Sequence, residues 1–142
     1  MVDVGGKAVS QREARAEGWI QVGSKSLEAV LSGDVKKGNV LLVAQIAGIQ
    51  AAKKTSDWIP LCHPLGLTGI DVHLEIQQPD KIRCQATVRC DGKTGVEMEA
   101  LCAVSAALLC VYDMLKAIDK SMVIGPIQLA EKSGGQSGNW AR

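Results

Sequence analysis

Four charged residues share one apolar segment of this chain. Between Thr94 and Lys116 it reads TGVEMEALCAVSAALLCVYDMLK, with Glu97 and Glu99 at the start and Asp113 and Lys116 at the end. A helix apolar around its whole circumference is a buried helix. An unpaired carboxylate or ammonium there costs several kcal/mol. Asp113 and Lys116 stand at i and i+3, so they share a face and can pair. Lysine shifts its pKa readily when desolvated, and a neighbouring carboxylate tunes it, so the pair is suited to moving protons. A plainer reading also exists, because a lysine near a helix C-terminus complements the dipole.

Other candidates surround this segment. Thr94 and Glu97 have the spacing of a capping box, which by itself accounts for Glu97. Glu99 is outside that box and reads either as a dipole-favoured acid or as a functional one. Lys36-Lys37-Gly38 precedes a helical run, where a basic pair and free N–H groups suit an anion. No GxxxxGK[ST] or GxGxxG accompanies it, so neither a P-loop nor a dinucleotide fingerprint is present. His63 is fixed between Pro60 and Pro64 as a structural histidine or a phosphate contact. Its neighbour Cys62 adds one further metal donor, which is thin support for zinc. Arg12 and Lys132, the latter directly before SGGQSG, complete the set of possible anion contacts.

The elements that must position these residues follow from periodicity. Residues 1–12 are Gly-rich and polar and read as an arm. Ala16–Val22 forms a short strand, and Ser24 caps a short helix ending at Gly33. Asn39–Trp58 reads as one long helix with small residues along it. Ile70, Val72, Leu74 and Ile76 alternate with polar residues, QPD turns, and Ile82, Cys84, Ala86 and Val88 alternate again: an antiparallel hairpin with one buried face. After the helix of 94–116, MVIGPIQLAEK is a last strand placed at an edge by Pro126. Residues 133–142 read as a flexible Gly-rich tail. The order predicts one α+β domain over 1–142, a ferredoxin-like sandwich. Leu101, Val104, Leu108, Val111 and Leu115 should face the sheet. Cys102, Ala106, Cys110 and Asp113 are left for another subunit.

Bulk composition narrows the function classes. The 142 residues are 46% apolar, enough for a core, and the net charge of +1 provides no general field for nucleic acid or a membrane surface. No apolar run reaches transmembrane length, and no signal-peptide core is expected near the N-terminus. Five cysteines are an odd number, and Cys84, Cys102 and Cys110, at apolar positions, read as reduced and buried, which points to the cytoplasm.

Several runs together resemble one family. They are Ile59–Leu65 (IPLCHPL), Lys93–Leu101 (KTGVEMEAL), Val111–Ala117 (VYDMLKA) and Met122–Gly125 (MVIG). MVDV at the start, REA at 12–14, KKG at 36–38, AQIAGIQAAKKT at 44–55 and the final KSGG extend the likeness over nearly the whole chain. The sequence resembles the cyclic pyranopterin monophosphate synthases of molybdenum-cofactor biosynthesis. It departs from them at Gln136, where a basic residue is common. The family usually carries a short segment before MVDV, and this sequence opens on that run.

The resemblance implies a lyase that converts 3′,8-cyclo-7,8-dihydro-GTP to cyclic pyranopterin monophosphate and diphosphate. It implies a homohexamer, a trimer of dimers with sites between subunits, and a substrate made upstream by a radical S-adenosylmethionine enzyme. It implies no redox cofactor and leaves any use of Mg²⁺ open. Asp113 and Lys116 would be the catalytic pair. Lys37 and His63 would line the pocket, Arg12 and Lys132 would meet the triphosphate, and Glu97 and Glu99 would face the pterin or the lysines. Apart from the resemblance, a noncatalytic nucleotide-sensing oligomer fits the same charges.

Overall fold

A computed structural model describes residues 1–142. In chain order the elements are β1 (Ser10–Gln21), α1 (Ser24–Ser32), α2 (Val40–Lys53), α3 (Thr55–Trp58), β2 (Leu67–Gln77), β3 (Lys81–Gly92), α4 (Glu97–Leu115), β4 (Val123–Ser133) and β5 (Trp140–Ala141). The strands form one antiparallel sheet in the order β2-β3-β1-β4-β5. Without β5 this is the ferredoxin-like arrangement, an α+β fold with helices on one face.

The hairpin forms as its alternation demands, with Ile70 opposite Val88, Val72 opposite Ala86 and Leu74 opposite Cys84. The first strand is longer than expected. It starts at Ser10, so residues 10–12 belong to the sheet rather than to an arm. Its inward positions are Ala14, Ala16, Gly18 and Ile20. Three of these four are too small to register as an apolar period. The C-terminal end also departs from expectation, because Lys132 pairs with Trp140 and Glu131 with Ala141. β5 therefore covers only the end of β4. The stretch around Pro126 remains an open edge, as proline requires.

α4 is the centre of the molecule. Val104, Leu108, Val111 and Leu115 are fully buried on its sheet side. Gly18 admits this packing, since a Cβ there would lie 2.8 Å from Val104 and 3.0 Å from Leu108. The opposite flank does not wait for another subunit. Ala44, Gly48 and Ala52 of α2 lie in the core with Ala103 and Ala107 of α4, and a Cβ on Gly48 would meet the Ala103 carbonyl at 2.9 Å. Of the face left for a partner, Cys102 is buried, Ala106 and Cys110 are half-buried and Asp113 is exposed. Leu109, 58% exposed, is the large apolar residue of α4 that the chain leaves most open.

By length and composition α4 could cross a bilayer, with 19 residues and a mean hydropathy of 1.7. That corrects the expectation that no run reaches such a length. Here its apolarity is consumed by the sheet and α2.

Three helix ends also differ from the sequence reading. α4 begins at Glu97 with Val96 in the cap position and no side-chain cap, so the Thr94–Glu97 capping box does not form. Gly23 rather than Ser24 caps α1, and its N–H donates to Asp119 Oδ2 at 3.1 Å. The long helix of 39–58 breaks at Lys54, where the Thr55 hydroxyl turns back to the Ala52 carbonyl at 3.1 Å.

Candidate active site

The candidate residues gather at the two ends of α4. At its C-terminal end, Asp113 lies in the last helical turn. Lys116 Nζ donates to Asp113 Oδ1 at 2.7 Å. Lys37 Nζ reaches the other oxygen, Oδ2, at 2.5 Å and the Asp113 main-chain carbonyl at 3.1 Å. The turn 36–38 delivers Lys37: Gly38 takes a left-handed φ of 96°, and Asn39 then caps α2 by accepting from the Leu42 N–H. Because α2 starts where α4 ends, that turn lies against Asp113.

Both catalytic candidates are half-exposed, with side chains 52% and 53% accessible for Asp113 and Lys116. The expectation of a buried pair is therefore corrected: in this chain the helix end is open to water. Lys116 first, then Lys37, pulls the Asp113 carboxyl down to about 2. Asp113 in turn raises Lys116 above its ordinary value. The lysine is thus a firmly held ammonium, and its reactivity is that of a proton donor or a fixed positive charge.

The N-terminal end of α4 is built differently. Glu99 is 4% exposed and forms no salt bridge. Burial, with a smaller contribution from the Glu97 charge, raises its carboxyl above the usual range. Glu97 folds back over Gly95, where a Cβ would stand 2.1 Å from its Oε2. Both acids line a small pocket of about 150 Å³ with Cys62, His63 and Thr94. His63 Nε2–H donates to the Val2 carbonyl at 2.8 Å. No group of three or more His, Cys, Asp or Glu side chains forms around Cys62 and His63.

Thr94, Gly95 and Glu97 also line a larger cleft, of about 560 Å³, so the two hollows adjoin. Its other walls are Lys7, Arg12, Lys93 and the turn Gly135-Gln136-Ser137. Arg12 Nε donates to the Gly92 carbonyl at 3.3 Å. The glycine turn packs directly on Arg12: a Cβ at Gly135 would fall 1.6 Å from Nη1, and that residue holds a left-handed φ of 77°. Lys132 lines the neighbouring hollow with Glu13 and Trp140, and bonds Ser137 across from it.

The structure thus unites Asp113, Lys116 and Lys37 at one end. It unites Glu97, Glu99, His63 and Arg12 at the other, with Lys132 beside them. The two groups are separated by the length of α4: sixteen residues from Glu97 to Asp113, about 24 Å at 1.5 Å per residue. Lys7 and Lys93 are cleft residues that sequence reading missed. The signal was there for Lys93, a basic residue beside a glycine at a helix start. For Lys7 nothing in the local pattern marked it.

The MoaC family model matches residues 1–135. The chain belongs to the MoaC family. It is 54% identical over 142 residues to the cyclic pyranopterin monophosphate synthase of Desulfitobacterium hafniense, with all of this chain and 87% of that protein aligned. It is 53% identical over 143 residues to the molybdenum cofactor biosynthesis bifunctional protein of Synechococcus elongatus. All of this chain aligns there too, but it spans only 45% of that longer protein. Membership makes this a chain of molybdenum-cofactor biosynthesis whose partner is a small-molecule substrate. The family's match includes both ends of α4, the Arg12 strand and the start of the glycine turn.

Proposed function

We propose that the chain is a lyase, a cyclic pyranopterin monophosphate synthase that acts on 3′,8-cyclo-7,8-dihydro-GTP and releases diphosphate. The observation that supports it best is the chemical division of α4. One end offers cations, a half-buried Glu97 and a buried Glu99, suited to a triphosphate and a purine-derived ring. The other offers an ammonium poised by a carboxylate. A single nucleotide does not span about 24 Å, so a complete site takes one end from each of two subunits. This favours an assembly of dimers, and we propose the family-type homohexamer working in the cytoplasm, fed by an upstream radical S-adenosylmethionine enzyme.

Each group then has a task. Lys7, Arg12 and Lys93 carry positive charge in the cleft, where Glu97 is the one acid among the lining residues. They would hold the triphosphate and stabilise the charge that develops on diphosphate as it leaves. A ribose-derived hydroxyl attacks the α-phosphorus, the new P–O bond closes the cyclic phosphate, and the bond to diphosphate breaks. Lys116 would donate a proton during ring opening, and Asp113 would keep it protonated until then. Lys37 holds Asp113 in place from the opposite side. Glu99 would face the ring as a carboxyl that burial pushes toward its protonated form.

Diphosphate release from 3′,8-cyclo-7,8-dihydro-GTP tests the reading. One diphosphate per cyclic pyranopterin monophosphate is expected. Tight substrate binding with no release overturns it in favour of a nucleotide-sensing oligomer. The shared site has its own test, in mixtures of inactive variants. Lys116→Ala mixed with Arg12→Ala should regain activity, because some sites then hold both native ends. Lys116→Ala mixed with Lys37→Ala should not, since both lysines grip the same Asp113 within one chain.

A further inference from the structure

The residues before β1 form a strap that touches the site at two points. Besides His63 on the Val2 carbonyl, Lys93 Nζ donates to the Gly5 carbonyl at 2.6 Å. These two side chains come from separate loops and both line the candidate site. The strap has little else to hold it. Met1, Val2 and Val9 are 71%, 75% and 62% exposed, and no residue of 1–9 is buried. Its internal bonds are local: Gly5 N–H to Asp3 Oδ1 at 2.7 Å, and Lys7 N–H to the Val4 carbonyl at 3.1 Å.

Lys93 therefore spends its charge on a neutral acceptor. No carboxylate lies within salt-bridge distance of it, whereas Arg15, Arg83, Arg89, Lys37 and Lys116 all have one. An ammonium bonded to a phosphate oxygen makes a charge-assisted bond roughly twice as strong as one between neutral groups. The cleft beside Lys93 already holds Lys7 and Arg12.

We infer that Lys93 is a phosphate ligand held in reserve by the strap. An anion entering the cleft takes the Lys93 ammonium from the Gly5 carbonyl, and the strap loses the stronger of its two latches. The strap is then a competitor that phosphate displaces, and the site reports occupancy through its N-terminal residues. This rests on the reading of the cleft as the phosphate side of the site.

Inorganic diphosphate is the probe, with the full chain in its native assembly. Hydrogen exchange at residues 1–5, which carry both latches, should become faster on adding diphosphate, while Lys7 stays on the cleft wall. Lys93→Met should weaken diphosphate binding about tenfold, the loss of one charge-assisted bond, and its strap should exchange fast with or without the anion. Removal of residues 1–5 should tighten diphosphate binding in calorimetry. Protection of the strap by diphosphate, native affinity in Lys93→Met, or weaker binding by the shortened chain each overturns the inference. Turnover of the cyclised nucleotide is followed in parallel. Turnover with an indifferent strap removes this inference alone; a responsive strap without turnover removes the synthase reading alone.

Discussion

The two ends of α4 carry the same kinds of charge under opposite conditions. At the C-terminal end Asp113 and Lys116 are half in water and fully paired, with Lys37 as a third member. At the N-terminal end Glu99 is buried and without a salt bridge, and the charge that acts on it is another acid, Glu97. Pairing stabilises the ionised forms of Asp113 and Lys116; burial favours the neutral form of Glu99. One end is thus organised before any ligand arrives. The other holds an unmet demand that a bound ring or cation would satisfy. A site assembled from both combines a settled proton donor with a surface that gains from occupancy.

Four changes test this contrast. Lys116→Ala has the largest expected effect. It removes the proton donor, so turnover should fall about 10²–10⁴-fold while diphosphate binding stays near native. A quenched diphosphate assay beside calorimetry measures both, and undiminished turnover breaks the assignment.

Asp113→Asn comes next. Two ammonium groups lose their counter-charge, so Lys116 should titrate at lower pH than in the native chain. Activity should drop, and the alkaline limb of the pH–rate profile should move toward neutrality. An unmoved limb means that Asp113 is structural only.

Gly18→Val acts on neither end directly. A side chain there meets Val104, Leu108 and Ile127 within 3.0 Å and pushes α4 from the sheet. The expected cost is about 1–3 kcal/mol, read by urea unfolding, and both ends of the helix should suffer together. Loss of function at one end alone would show that α4 does not act as a single spacer.

Glu99→Gln is the smallest. The folded state raises the Glu99 carboxyl above 4.5, its ordinary value. Stability tied to its proton is complete below that pH and is lost as pH rises through the folded value. The neutral amide escapes this loss, so the variant's melting temperature should exceed the native one above pH 4.5 and match it below. Equal melting curves at pH 7 would place Glu99 with an unseen cation.

How far the sequence went depended on residue size and on range. The β2–β3 hairpin was legible to the register, because Ile, Val and Leu alternating with charged residues leave one solution. α4 was legible as a buried helix because its apolar residues leave no polar face. β1 was read short, since Ala14, Ala16 and Gly18 carry almost no hydrophobic signal although they are fully inward. The capping box at Thr94 was a local pattern that the incoming chain did not use. Lys37 reads from sequence as an anion contact and pocket residue but not as the partner of Asp113, because that bond spans 76 residues and no local rule reaches that far.

The sequence by itself determined the element types, the inward faces and the residue chemistry, since these follow from period, side-chain volume and ionisable groups along a short stretch. Its family runs already carried the expectation of a pterin-forming lyase. Tertiary structure alone decided which charges meet water. It put Asp113 and Lys116 at an open helix end and buried Glu99, about 21 Å of helix away from Asp113. Exposure depends on what the rest of the chain brings alongside, here α2, the sheet and the N-terminal strap, and that is a property of packing rather than of any local run.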